Sequence, residues 1–470
     1  MSAGNEILVK IEELKKAFEL GSYNMAPGTL SQGGAVQKED LSKIMHVVTF
    51  GEKDIKLQKE VKVEKAKGQL VQFNRMLSYG TFGGTAMMEG LIGQEETPDI
   101  IRATVPMAYY SLMTRPTLAA TMAETFDGVG AEERVSMAAA MKIAGDVEFD
   151  LFRGKADFSN AGVFDGQPSA IAQLPNIVGL DVQVRQSDYS LDTQDLMFEA
   201  YGSGLSNIIS GGGVLTQSNV EDSWIRGVMN FSKADRMFTD PLVLSNYSKN
   251  AYSSKERFNL GATAQEPVTG VDIRRQAVSG GVVTLEPSRF LSGQTKWKRS
   301  RVNSPGAPSI AVANSVSSTT FLITQTYTYL VTAENELGES LPSAAVAGTT
   351  TAAGDKFTVT ITAGTGSARY FNVFRTAAGG AAASAKLVGR VKAAVSGTTA
   401  FIDLNNRLPG AQPAYLVDME SMGVHELAPY TRIKLAVTDL TEPEGHFRFL
   451  SLAVYQPRKN VLIDNLTGAL

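Results

Sequence analysis

The chain has 470 residues, 43% of them apolar, and a formal net charge of −4, enough for two or three domains with substantial cores. A charge so small for this length argues against gripping nucleic acid through a strong basic field, and the absence of cysteine excludes disulfides and thiolate metal sites. No apolar run approaches the ~20 residues of a membrane span, and Lys10, Glu12, Glu13, Lys15 and Lys16 interrupt what would be a signal peptide's apolar core.

In chain order, Ile7, Leu8, Ile11, Leu14 and Phe18 fall on one side of an amphipathic helix over residues 5–20. It reads equally as an arm that packs on a neighbouring molecule or as a solvated terminal helix. Residues 21–40 are rich in Gly, Ser and Gln and read as a link. Residues 38–67 mix eight lysines with six acids, the density of a solvated face. Residues 69–114 read as a long hairpin, Val71, Phe73 and Leu77 alternating outward and Val105, Met107 and Tyr109 on the return. Its other face is also partly apolar, so it needs cover on both sides. Its tip, YGTFGGTAMMEGLIGQEETPD, is rich in glycine and methionine and can adapt its shape.

The longest helical signal follows at Ala131–Arg153, with Glu132 and Glu133 in the first turn, Arg153 in the last and Gly154 as C-cap. Ala140, Ala144, Val147 and Leu151 recur at helical spacing, and Met137 and Met141 widen the stripe. At ~1.5 Å per residue this is a rod of roughly 35 Å. Short strands are expected over residues 163–190, including IVGLDVQVRQ, then a helix from Leu191 to Ile209 ended by the glycines at 211–213. A third helix runs from Ser218 to about Phe231, and Met237 to Trp297 reads as strands and loops.

Residues 306–417 change character: charge becomes sparse, and Ala, Thr, Ser and Gly dominate. Tyr327, Tyr329 and Val331 alternate, as do Phe357, Val359 and Ile361, which reads as a β-sandwich bracketed by Pro305, Pro308, Pro409 and Pro413. Strand pattern resumes over 424–470.

Catalytic constellations are missing from this pattern. His46, His425 and His446 show no HExxH spacing, GSGLSNIISGGG lacks the Lys-Ser/Thr of a phosphate loop, and no Gly-x-Ser-x-Gly elbow occurs. Carboxylates lack EF-hand spacing. The expectation is a non-enzyme with no catalytic, cofactor-binding or metal residues.

This order of elements, a two-stranded excursion, the 131–153 helix, an α/β region, a sandwich insert and the C-terminal block HELAPYTRIKLAVTDL…HFRFLSLAVYQPRKNVLIDNL, resembles the major capsid proteins of tailed bacteriophages. Their Hong Kong 97-like fold is shared with encapsulins. The resemblance implies an α+β fold with an N-terminal arm at 1–67, an E-loop hairpin at 68–115, and a P-domain with spine helix and A-domain at 116–305. An immunoglobulin-like or fibronectin-type insertion at 306–417 and a return to the core fold at 418–470 complete it. It makes Phe82, Met87, Met88, Leu91 and Ile92 the E-loop tip that lies across a neighbouring subunit. Met137, Met141, Ala144, Val147 and Leu151 become the spine-helix stripe.

The implied work is self-assembly into hexamers and pentamers of an icosahedral head in the virion, built in the host cytoplasm. The implied partners are portal and scaffolding proteins, decoration or cement proteins, and double-stranded DNA held without sequence specificity on the inner face, with no membrane. The arm is too short for a fused scaffold, so scaffolding is expected from a separate protein. Some relatives weld subunits through an E-loop lysine, but no lysine occurs between Lys67 and Lys142. Two rival readings remain: an encapsulin-type compartment shell, against which the insert argues, and a sandwich-based adhesion or glycan-binding protein.

Overall fold

The computed structural model describes residues 51–78, 89, 95, 97–122, 130–154, 177–185, 207–251, 258–259, 268–269, 274–291 and 305–467, less nine single positions in the last stretch (318, 320, 336, 337, 369, 395, 396, 406 and 438). Expectations for residues 1–50, and for most of 163–206, lie outside the described residues. Helix α1 (Leu57–Glu60) leads into β1 (Lys62–Lys65), the antiparallel pair β2 (Leu70–Ser78) and β3 (Asp99–Pro106), β4 (Ala108–Thr114) and α2 (Leu118–Met122). Then come α3 (Ala131–Arg153), α4 (Leu180–Arg185), β5 (Ile208–Gly213), α5 (Gln217–Met229), β6 (Arg236–Thr239) and α6 (Pro241–Ala251). Strands β7 (Phe258–Asn259), β8 (Val268–Thr269), β9 (Arg275–Val278) and β10 (Gly281–Pro287) follow. Seven more are β11 (Ser309–Ser315), β12 (Thr326–Glu334), β13 (Val346–Thr349), β14 (Lys356–Thr362), β15 (Tyr370–Arg375), β16 (Lys386–Lys392) and β17 (Thr398–Asp403). The chain closes with β18 (Gln412–Val417), β19 (Met422–Lys434), β20 (Glu444–Val454) and β21 (Val461–Leu466), giving a mixed α+β fold rich in strands.

Two sheets build the body. One has the order β1-β19-β20-β4 and carries α3 across it; the other is mixed, in the order β5-β21-β18-β6-β10-β9. Ile143, Val147, Leu151 and Phe152 of α3 share a core with Ala108, Leu450, Leu452 and Val454 of the first sheet, and with Phe238, Tyr415 and Leu462 of the second. At ~1.5–3 kcal/mol per large side chain fully buried, this cluster joins both sheets through one helix. A separate core of Val220, Val243, Tyr247, Val283, Leu416 and Ile463 lies between the six-stranded sheet and α5 and α6.

The α3 boundaries match the sequence reading, but the buried stripe is turned. Ser136, Ala139, Ile143, Val147 and Leu151 face inward, while Met137 is 61% exposed and Met141 and Ala144 are half-buried. Gly154 ends the helix without a left-handed turn, at φ −57°. Its role is close approach: a Cβ there would overlap the Ile177 carbonyl oxygen, and one on Gly179 would sit 2.6 Å from the Gly154 nitrogen.

Four further expectations are corrected. The stretch expected as strand around IVGLDVQVRQ contains helix α4, buried from Leu180 to Val184; Asp181 accepts from the Tyr415 hydroxyl at 2.6 Å, and the Gln183 amide bonds Val178, Leu452 and Val454. Burial on every side makes its apparent alternation uninformative. The glycines at 211–213 do not end a helix but lie in β5, parallel to β21, where a Cβ on Gly211 would meet Asp464 O at 2.9 Å. Within Met237 to Trp297 lies helix α6, which Asp240 caps by accepting from Leu242 N at 2.7 Å, ahead of Pro241. The hairpin closes at Pro106: β4 leaves it to pair with β20, so Tyr109 belongs to the body sheet.

The insertion forms two sheets, β11-β14-β17 and β13-β12-β15-β16, over a shared core that includes Tyr329, Val331, Phe357, Val359, Phe371 and Phe401. It ends before residue 412, not at 417. Gln412–Val417 is buried throughout and lies between β21 and β6, with a register shift where Pro413 has no N–H to give. Excising 306–411 across a short linker should therefore leave a soluble body with native circular dichroism. Excising 306–417 should give insoluble protein, because it removes a central strand. Equal behaviour of the two deletions would contradict this boundary.

Candidate assembly surfaces

Helix α3 is the scaffold on which exposed elements are mounted. Glu148, fully buried on it, accepts from the backbone N–H groups of Lys56 (3.0 Å), Leu57 (2.8 Å) and Gln58 (2.9 Å), which open α1. Burial raises its pKa, and the three N–H groups oppose that rise. At the other end of α1, Glu60 pairs with Arg236, which also reaches Glu286 at 3.4 Å. One turn of helix thus pegs the segment after residue 51 to α3, β6 and β10. Farther along α3, Asp150 accepts from the Tyr110 hydroxyl at 2.6 Å; burial first, then this carboxylate, pushes the phenol's pKa well up.

The amino-terminal half of α3 is tied to the β19–β20 hairpin by charge. Arg432 bridges Glu132 and Glu444, and Lys434 reaches Glu132 at 2.8 Å, holding that carboxyl below its usual range. Beneath them His446 is buried, with Nδ1 2.8 Å from the Tyr430 hydroxyl and Nε2 3.0 Å from Thr114 Oγ1; burial lowers its pKa. Toward the tip strand β19 passes from buried to exposed, and the tip presents Ile433, Leu435, Val437 and Leu440; Met113 of β4, paired with Gly445, and Met122 of α2 are exposed as well. Leu118 N bonds Leu440 O at 2.9 Å, fixing α2 to it. Clustered exposed aliphatics of this kind mark contact surface.

The β2–β3 hairpin is gripped at its root. Val71, Met107 and Ala453 form a small core there, Phe73 meets the Tyr455 ring edge-on at 5.2 Å, and Arg75 donates to Val454 O at 3.0 Å. Leu70, Met76 and Ile100 are exposed along it. The expected tip residues Phe82, Met87, Met88, Leu91 and Ile92 lie outside the described residues. Of the expected α3 residues, Val147 and Leu151 are core and Met137 is surface.

A third surface was not anticipated. The outer face of α5 begins with Ser218, Glu221 and Asp222 and ends with exposed Ile225, Val228 and Met229. Asn230 caps the helix, and Phe231 follows in the left-handed region at φ 59°, 83% exposed. Ser232 N bonds Gly227 O at 2.9 Å, a turn that ordinarily places glycine where Phe231 stands. A non-glycine residue there costs ~1–2 kcal/mol. The sequence sign was available: Asn at the cap, then no glycine.

Among the described residues, no group of three His, Asp or Glu side chains could hold a metal ion, and no helix is long and apolar enough to cross a membrane. No protein-family model matches the chain. The major capsid proteins of Staphylococcus phages S25-3 and K are each 20% identical to it over 471 aligned positions, covering 97% of this chain and 95% of theirs. Among solved structures it is similar to the capsid of a native GTA particle (TM-score 0.44, 9% identity, 93% of this chain and 97% of that one). It is also similar to the capsid of Myoviridae phage XM1 (TM-score 0.41, 10% identity, 91% and 97%). Along nearly its whole length, the chain is similar to these phage major capsid proteins.

Proposed function

We propose that this chain is a major capsid protein that assembles into the hexamers and pentamers of an icosahedral head and resides in the virion. The observation that carries the reading is the end-to-end likeness to phage major capsid proteins, 97% of this chain and 95% of theirs. A shell subunit must present several surfaces at once while its core stays fixed, and the charged and apolar ties of α3 supply that rigidity. In this reading the fold is Hong Kong 97-like. The arm spans 1–67, the β2–β3 hairpin is the E-loop, α3 and the four-stranded sheet are the P-domain, and the six-stranded sheet with α5 and α6 is the A-domain. The insertion, now 306–411, is of the immunoglobulin-like class, although its first strand pairs with its fourth rather than its second as in a constant-type domain. Portal, scaffolding and cement proteins are its expected partners, and DNA contacts its inner face without sequence preference. The work is mechanical, and no catalytic step is assigned.

Negative-stain microscopy of the purified chain should show rings, sheets or closed shells. Strictly monomeric protein at high concentration would overturn the reading. With no lysine between Lys67 and Lys142, the E-loop has no amine for a covalent weld, and arginine is no substitute nucleophile. Boiled assemblies should run as one band near 50 kDa. A ladder of higher species that survives boiling would refute non-covalent closure.

A further inference from the structure

We propose that the outer face of α5 is a head-to-tail contact between copies of this chain, with Phe231 as its anchor. The contact deepens the capsid reading and rests on it.

Two observations point there together. Phe231 occupies a left-handed position that glycine would fill without strain, yet its ring is 83% exposed and does little for its own subunit. The turn around it is fixed by Phe231 N to Val228 O and Ser232 N to Gly227 O, both 2.9 Å, so the ring is held outward beside Val228 and Met229. Strain kept where the fold draws no benefit from it indicates use elsewhere. An exposed aromatic among aliphatics is the usual make-up of an interface anchor.

The charges along the same face select the partner. Glu221 and Asp222 lie at one end of the strip and Lys233 at the other, where its 3.3 Å pair with Glu420 is 78% and 76% exposed. So open a pair contributes little and can be exchanged for a new carboxylate. A face acidic at its start, apolar at its end and basic just beyond complements itself when copies follow one another. The Phe231 end of one copy packs beside Ile225 of the next and brings Lys233 to Asp222. Repeated by rotation, a contact of this head-to-tail kind closes a ring.

The test uses the full-length chain and follows subunit melting together with assembly by sedimentation. Phe231→Gly should leave the subunit's melting midpoint equal or higher, since it relieves the strained turn, while raising the concentration needed for half-assembly at least tenfold. Asp222→Lys and Lys233→Asp should each weaken assembly, and the double variant should recover it. Assembly of Phe231→Gly at the wild-type concentration, a lowered midpoint, or a double variant no better than its parents would overturn the contact while leaving the capsid reading intact. Wild-type chain that never forms rings or shells would overturn both.

Discussion

Replacing Arg375 by alanine is expected to destabilise the inserted sandwich by about 3–5 kcal/mol. The guanidinium is fully buried, 2.6 Å from Asp403 Oδ2, and donates to Asn405 Oδ1 at 2.7 Å and to the Arg407 carbonyl at 2.9 Å. Asp403 also accepts from the buried Tyr329 hydroxyl at 3.0 Å, and burial, reinforced by that carboxylate, pushes the phenol's pKa far up. The cation covers the rings of Phe321 (4.9 Å) and Tyr327 (5.6 Å) as well. Removing it strands a carboxylate in a dry core, which costs more than the pair was worth. Arg375→Met combined with Asp403→Leu should therefore recover most of the loss, whereas Arg375→Lys, lacking the planar fork, should not. Hydrogen exchange across β12, β15 and β17 in the full chain reads this directly. A loss under about 1 kcal/mol for Arg375→Ala would contradict the assignment.

Glu148→Ala should be as damaging, about 3–5 kcal/mol, because it leaves three N–H groups at the start of α1 without their acceptor and opens a void in α3. Its visible sign should be loss of exchange protection over residues 56–65 before the body melts. The pH dependence has a definite sign. Burial sets the folded pKa above the usual 4.5, so the folded state takes up the proton first. This group's contribution is fully present below 4.5 and is lost as pH rises through the raised value. Glu148→Gln should abolish that slope while keeping part of the stability, since its carbonyl still accepts but its NH2 faces Gln58 N–H. An unchanged slope in Glu148→Gln would show that another group titrates there.

What was legible in the sequence was mostly local. The limits of α3 followed from its charged ends and from apolar spacing within one stretch. Its facing did not, because Met137 and Ala144 score as apolar while the buried partners Glu148 and Asp150 are recognisable only once α1 and Tyr110 are in place. Strand β18 carries no mark separating it from the sandwich strands before it, and only its pairing with β6 and β21 assigns it. The glycines of β5 look like a helix end until the β21 backbone comes against them. For the surfaces, the hairpin and long helix were visible as elements. The α5 face was not, since an Asn cap without a following glycine is a sign only once the helix end is fixed, and the ring's exposure appears only in the fold.

The strand order also sets a timetable for synthesis. In the six-stranded sheet β21 lies inside β5, and in the four-stranded sheet β1 waits for β19, partners roughly 250 and 360 residues apart along the chain. The six-stranded sheet cannot close while the ribosome is still short of residue 461, nor the four-stranded sheet before β20 is made, whereas the inserted sandwich, which draws its core from its own strands, can fold as soon as it emerges. An unfinished polypeptide therefore lacks the assembled α3 platform on which the exposed elements are mounted.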